Sequence, residues 1–305
     1  MKKWIVPFVV LCHMALLIGC GPTAKNSLRK DLLARNIPRC PVDRPITEPV
    51  ILRFEDGAMK WIRGQCKFHL ILEDMDTKEQ GELIGTFLLE TLVARVEEVV
   101  TLNFNIRLKR SLIRRDSQEQ ELTRNNINAI FQRNDLAPIF DPLTFKITLN
   151  RSAKEISIKY LQKEKTEKIE DDAAWQKFDE ALKQSQPIKT GDKLFIFPKE
   201  AIQLAKLQNN RSRIESMIFK EEVKGITKID GLEYLSTELI IRLSGEYYDN
   251  DKKDYAKISF NGGGYKLYEI PNLFVTKYVT TYYLDIDHYR AALGLSFDGQ
   301  LTTIK

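Results

Sequence analysis

Residues 102–109, LNFNIRLK, alternate without a break. Leu102, Phe104, Ile106 and Leu108 fall on one side, and Asn103, Asn105, Arg107 and Lys109 on the other. A period of two predicts a strand with one buried and one wet face. Phe145, Ile147 and Leu149, then Ile156, Ile158 and Tyr160, repeat the pattern and predict two strands joined around 150–154. Upstream, 50–54 and 59–64 read as a hairpin turning at Asp56-Gly57, followed by a strand over 67–72. From 238 onward the expected strands are 238–248, 255–260, 264–270, 274–287, 291–297 and 300–304. Asn261-Gly262-Gly263-Gly264 and Asp298-Gly299 are read as turns, giving an antiparallel meander.

A different spacing follows Asp76. Asp76 and Glu79 suit a helix start, and Ile84, Leu88, Leu92 and Val96 recur every fourth position, which predicts an amphipathic helix. Further helices are expected at 117–133, 172–185 and 199–221. The fold class expected is therefore α+β, with antiparallel sheets, packed amphipathic helices and a β-rich C-terminal meander. The expected organisation is a leader at 1–19, a proline-rich tether at 20–48, an α+β domain at 49–165, and a helical connector with a β-rich domain at 166–305. Pro22, Pro38, Pro41 and Pro45 stiffen the tether and oppose helix within it.

The N-terminus changes the picture. Lys2 and Lys3 precede sixteen residues, 4–19, without an acidic or basic side chain other than His13. A helix of that length is about 24 Å long, short of a hydrocarbon core of about 30 Å. The run ends in Leu17-Ile18-Gly19-Cys20. This resembles the lipobox of bacterial lipoproteins. The resemblance implies cleavage before Cys20, a diacylglycerol on its sulfur, and attachment to a membrane. Gly21, where an acidic residue would favour inner-membrane retention, implies an outer-membrane location facing the periplasm. The resemblance stops near residue 20.

Composition narrows the rest. Of 305 residues, 47 are Lys or Arg and 42 Asp or Glu. Removing 1–19 takes away Lys2 and Lys3 and no acid, leaving a net charge of +3. That balance argues against a nucleic-acid partner. Cys40 and Cys66 then remain. They are expected to form a disulfide in an oxidising compartment, with two reduced buried thiols as the alternative.

Candidate chemistry is sparse. Asn261–Gly264 lacks the pattern of a dinucleotide or phosphate loop. Asp249, Asp251 and Asp254 lack calcium-loop spacing, and Lys252 and Lys253 oppose a cation. Asp285 and Asp287 share a strand face from which His288 points away. His69 is read as a core or interface histidine. No cofactor or metal is expected, and no nucleophile motif is present. Trp61 and Trp175 are the only indole platforms left for a sugar. Arg107, Lys109, Arg110, Arg114 and Arg115 form a basic segment suited to anionic headgroups or a solvated face. Tyr278, Tyr282 and Tyr283 are expected to contribute to a partner-binding surface. The function expected is binding or scaffolding at the cell envelope, with the membrane engaged through Cys20 and an envelope protein as partner. A carboxylate-dependent hydrolase of wall polymer or polysaccharide and a small-ligand receptor are the alternatives.

Overall fold

The computed structural model describes residues 32–54, 57–115, 118–121, 143–160, 163–170, 172, 175, 187–194, 213–249, 253–272 and 274–304. Their strands are β1 (Met59–Asp74), β2 (Gln80–Val96), β3 (Val99–Arg115), β4 (Gln118–Glu121), β5 (Leu143–Asn150), β6 (Glu155–Tyr160), β7 (Lys163–Lys168), β8 (Arg213–Ile229), β9 (Leu232–Asp249), β10 (Asp254–Glu269), β11 (Val275–Ile286) and β12 (Tyr289–Ile304). All lie in one sheet, in the order β7-β6-β5-β3-β2-β1-β12-β11-β10-β9-β8, with β4 pairing β3 beside that path. Every pairing is antiparallel.

The α+β expectation is therefore corrected. Among the described residues, helical conformation appears only at 32–33, 172 and 175. The predicted helix from Asp76 is instead a turn and β2. Asp74 Oδ1 accepts from the backbone N–H of Asp76 and Thr77, so the polar cluster builds a turn rather than a helix cap. The reason for the misreading is arithmetic: a spacing of four returns to the same face in a strand as well as in a helix. Residues 213–221, read as helix, open β8, and 118–121 form β4. The remainder of 117–133 and of 199–221, and most of 172–185, lies outside the described residues.

The expected boundary at 165 falls inside β7, and β1 pairs with β12 along its whole length, from Met59 opposite Ile304 to Asp74 opposite Tyr289. Both halves of the chain thus share the middle of one sheet.

One face of the sheet, called inner here, carries the main core. Ile62, Cys66, Phe68 and Leu70 of β1 join Val93 of β2, Leu239 and Ile241 of β9, Phe260 of β10, Tyr278 and Tyr282 of β11, and Leu293, Leu295 and Phe297 of β12. Two glycine stretches read as turns sit inside long strands because rings lie on them. Tyr282 packs on Gly262, and Phe297 covers the cross-strand pair Gly64 and Gly299. A strand glycine leaves room for such an approach.

The chain before β1 wraps the other, outer face. Leu32 is 2% exposed and packs with Ile71 and Tyr283. The Asn36 carbonyl accepts from the Thr281 and Tyr283 hydroxyls. Ile37 lies over Gly263. Arg44 pairs with Ile226 at the edge of β8. Beyond that edge Val50 and Leu52 pack in a second buried cluster with Ile188, Val223, Ile226, Leu235 and Tyr268, and Phe54 enters the main core. Residues 32–54 form a belt, not the free-standing tether expected for 20–48; Asp43 and Arg44 of the belt, with residues 191–194, pair along the β8 edge and cover part of it. The expected hairpin is replaced as well: Val50 bridges to Ile188 and Arg53 to Asn272. At the far edge β7 reads KEKTEK, a row of charges that discourages a further strand.

Candidate binding surface

Cys20 lies outside the described residues. Cys40 and Cys66 are not joined, and the sheet explains why. Cys66 points into the inner core together with Leu239 of β9. Cys40 sits beside Glu238, the next residue of β9, and Tyr265 of β10. Successive residues of a strand face opposite ways, so the sheet separates the two sulfurs. Burial, with Glu238 adding to it, pushes the Cys40 thiol up to about 12.

The three tyrosines are corrected as an exposed patch. Tyr278 is 0% exposed, and Tyr282 and Tyr283 are each 2%. Tyr278 and Tyr282 belong to the inner core, while Tyr283 lies under the belt at Leu32 and Asn36. The rings are on both faces, as alternation requires, and both faces are covered there.

The titratable candidates find structural partners. Asp285 takes a two-pronged pair from Arg35 and a further contact from Arg290. His288 lies between Asp76 and Asp287 at 3.1 and 3.2 Å. His69 Nε2 is 3.0 Å from Glu82 Oε2 in a buried pair, with Arg114 at 3.9 Å from the same oxygen. Asp249 and Asp254 face each other across the β9–β10 hairpin, and Asp251 lies outside the described residues. Among the described residues no cluster of three or more His, Cys, Asp or Glu could hold a metal ion. In the basic segment Arg107 approaches Glu90, Arg110 approaches Glu121, and Arg114 pairs with Glu119.

The outer face of the other half-sheet is more informative. Cross-strand register sets one row of side chains over five strands: Trp61 opposite Leu92, Leu92 opposite Asn103, Asn103 opposite Lys146, and Lys146 opposite Lys159. A second row beside it runs Gln300, Arg63, Glu90, Asn105, Thr144. The first row, with Glu90, Asn105 and Thr144 of the second, lines a concavity of about 360 Å³. Arg63 stacks on the Trp61 ring 3.4 Å from its centroid. Glu90 accepts from Asn105 Nδ2 at 3.3 Å and meets Arg63 Nε at 3.2 Å, so its charge is already shared. Arg63 also borders a second concavity of about 350 Å³ with Gln65, Lys67, Asp298 and Gln300. Glu90 is the carboxylate of the first concavity and Asp298 that of the second. Among the described lining residues neither concavity has the two facing carboxylates that acid–base cleavage of a glycosidic bond uses.

Of this surface, Trp61 was marked from sequence as an indole platform, and Asn103 and Asn105 as a wet strand face. Glu90 was hidden by the helical reading of β2. Lys146 and Lys159 stood on the polar side of two correctly read alternations, but the register that sets them opposite each other is not in the local pattern.

No protein-family model matches the chain, and no curated protein matches it. Among solved structures the chain is similar to one described as lipid–protein interactions in lipovitellin, with 9% identity and a TM-score of 0.34. The match covers 83% of this chain and spans 26% of that one. No helix among the described residues is long and apolar enough to cross a membrane.

Proposed function

We propose that the protein is a lipid-anchored binding component of a bacterial cell envelope. A lipid on Cys20 holds it to the outer membrane on the periplasmic side. The sheet presents the outer surface around Trp61 to an envelope partner.

The observation that supports this reading is the belt. Leu32 is twelve positions after Cys20, a reach of at most about 40 Å. Leu32 docks against Ile71, and Trp61 lies ten residues back along the same strand, about 33 Å away. An anchor at Cys20 therefore keeps the Leu32 end of the long strands within about 40 Å of the bilayer, and the concavity at Trp61 lies further along the same strand.

The test is membrane fractionation of the Cys20→Ser variant with the leader intact. Release from membranes, or an uncut leader, is expected. Maturation and membrane association at wild-type levels would overturn the anchor. Affinity capture of the lipidated protein from its native membrane then identifies what the body holds.

A further inference from the structure

We propose that the strip from Trp61 to Lys159 binds a linear acidic polysaccharide of the uronate kind, lying across the strands. This deepens the reading of that face as the binding surface and does not depend on the anchor.

The first argument is shape. The row crosses five strands at right angles to their direction, and neighbouring strands are about 4.8 Å apart, so it runs for roughly 19 Å. A small inorganic anion would occupy one corner of it. A peptide joining a sheet adds to an edge through backbone hydrogen bonds, and this strip is on a face. An extended chain of sugars fits its length and can lie along the concavity that the row lines.

The second argument is charge. Lys146 and Lys159 stand directly opposite each other on the same face of β5 and β6. Like charges in that position oppose pairing. Glu164 of β7 follows Lys159 in the row, yet no carboxylate stands between the two lysines. Arg63 and Arg107 add positive charge around Glu90. An anionic group bound between the lysines offsets their repulsion, and repeated carboxylates along a polymer match cations spread along a row.

The third argument is the mix of side chains. An indole offers an apolar surface to the C–H faces of a sugar ring, and its edge is polar. Stacking by Arg63 fixes that indole in place. Asn103 and Asn105 carry both donors and acceptors, as sugar hydroxyls require. The amides lie between the indole and the lysines, so one chain meets apolar, neutral polar and cationic groups in sequence.

The experiment titrates the full chain with short galacturonate oligomers at low salt, read by calorimetry. Saturable binding is expected, weakening as salt rises. Lys146→Gln and Lys159→Gln, both at exposed positions that leave the core untouched, should each weaken binding about tenfold. Trp61→Ala should weaken it as well. Neutral cello-oligosaccharides should bind at least tenfold more weakly than the acidic ones. The proposal is overturned if wild type shows no saturable binding, or if the lysine variants bind as wild type does. It is also overturned if inorganic polyphosphate binds as tightly as the glycan and Trp61→Ala leaves both unchanged, which would make the strip a simple anion patch. Cys20→Ser chain that leaves the membrane yet still binds the oligomers separates this proposal from the anchor.

Discussion

Arg35 and Asp285 are 250 positions apart in sequence and meet side by side, Nη1 to Oδ1 at 3.0 Å and Nη2 to Oδ2 at 2.7 Å. The pair marks where the belt crosses β11. Its side chains are 43% and 36% exposed, and exposed ion pairs contribute about 1 kcal/mol or less. Leu32, three residues earlier, is buried. Leu32→Ala should cost about 2–5 kcal/mol and Arg35→Ala less than about 1 kcal/mol. Urea denaturation of both variants checks the ranking; equal losses would show that the ion pair, not the apolar contact, holds the belt.

Glu221 is 1% exposed on β8 and has three donors. Thr237 Oγ1 reaches it at 2.7 Å, the Tyr268 hydroxyl at 2.8 Å, and Lys266 Nζ at 2.8 Å. Removing Lys266 leaves the buried carboxylate without its counter-ion, held only by the two hydroxyls. Lys266→Met should therefore cost about 3–5 kcal/mol. The double variant Glu221→Leu with Lys266→Met should recover most of that loss, because no charge is left behind. A double variant as unstable as the single one would place the energy in packing.

Cys40 gives a prediction in pH. Its thiol is held up to about 12 by burial first and by Glu238 second. The unfolded value is about 8.5. A raised folded value means that the neutral form is favoured by folding. The contribution is complete below about pH 8.5 and is lost as pH rises towards 12. Cys40→Ser should flatten the alkaline decline of the melting temperature relative to wild type. At pH 8 the native protein should react slowly with a thiol reagent, and quickly in urea. Intact mass under non-reducing conditions should show no Cys40–Cys66 link; finding one would contradict their placement on opposite faces.

The strand glycines can be told apart by substitution. A Cβ at Gly64 would meet the Asp298 carbonyl oxygen at 2.2 Å and the Gly299 Cα at 2.5 Å, both backbone. At Gly81 it would meet nothing within 4 Å. Gly64→Ala should cost about 1–3 kcal/mol or more, while Gly81→Ala should be close to neutral. Thermal melts of the pair are enough to test this.

The sequence made the strand-like half of the fold legible where polar and apolar residues alternate strictly, as at 102–109 and 145–149. It misled where both faces of a strand carry apolar residues. Leu83, Phe87, Leu89 and Val93 face the inner core of β2, while Ile84, Leu88 and Leu92 lie on its other side. That run has no strict alternation, and its fourfold spacing suits either element. Glycine misled for another reason. It punctuates turns, but at Gly262 and Gly299 it makes room for aromatic rings that come from a neighbouring residue or strand. The candidate surface was least legible of all. Trp61, Asn103, Lys146 and Lys159 become neighbours only through four pairings in register, and local patterns do not encode register.

The seam between β1 and β12 has a consequence for the order of events. Strands β1 to β7 build outward in one direction and β8 to β12 in the other, each largely by pairing with near neighbours in sequence. The central joint needs residues from Met59 and from Ile304 at once. A growing chain therefore holds two incomplete half-sheets, each with a long strand edge uncovered, until its final sixteen-residue strand is available. Contacts this distant in sequence slow folding, and uncovered edges invite pairing with other chains. The strand that closes the middle, β12, follows every other described strand in the chain.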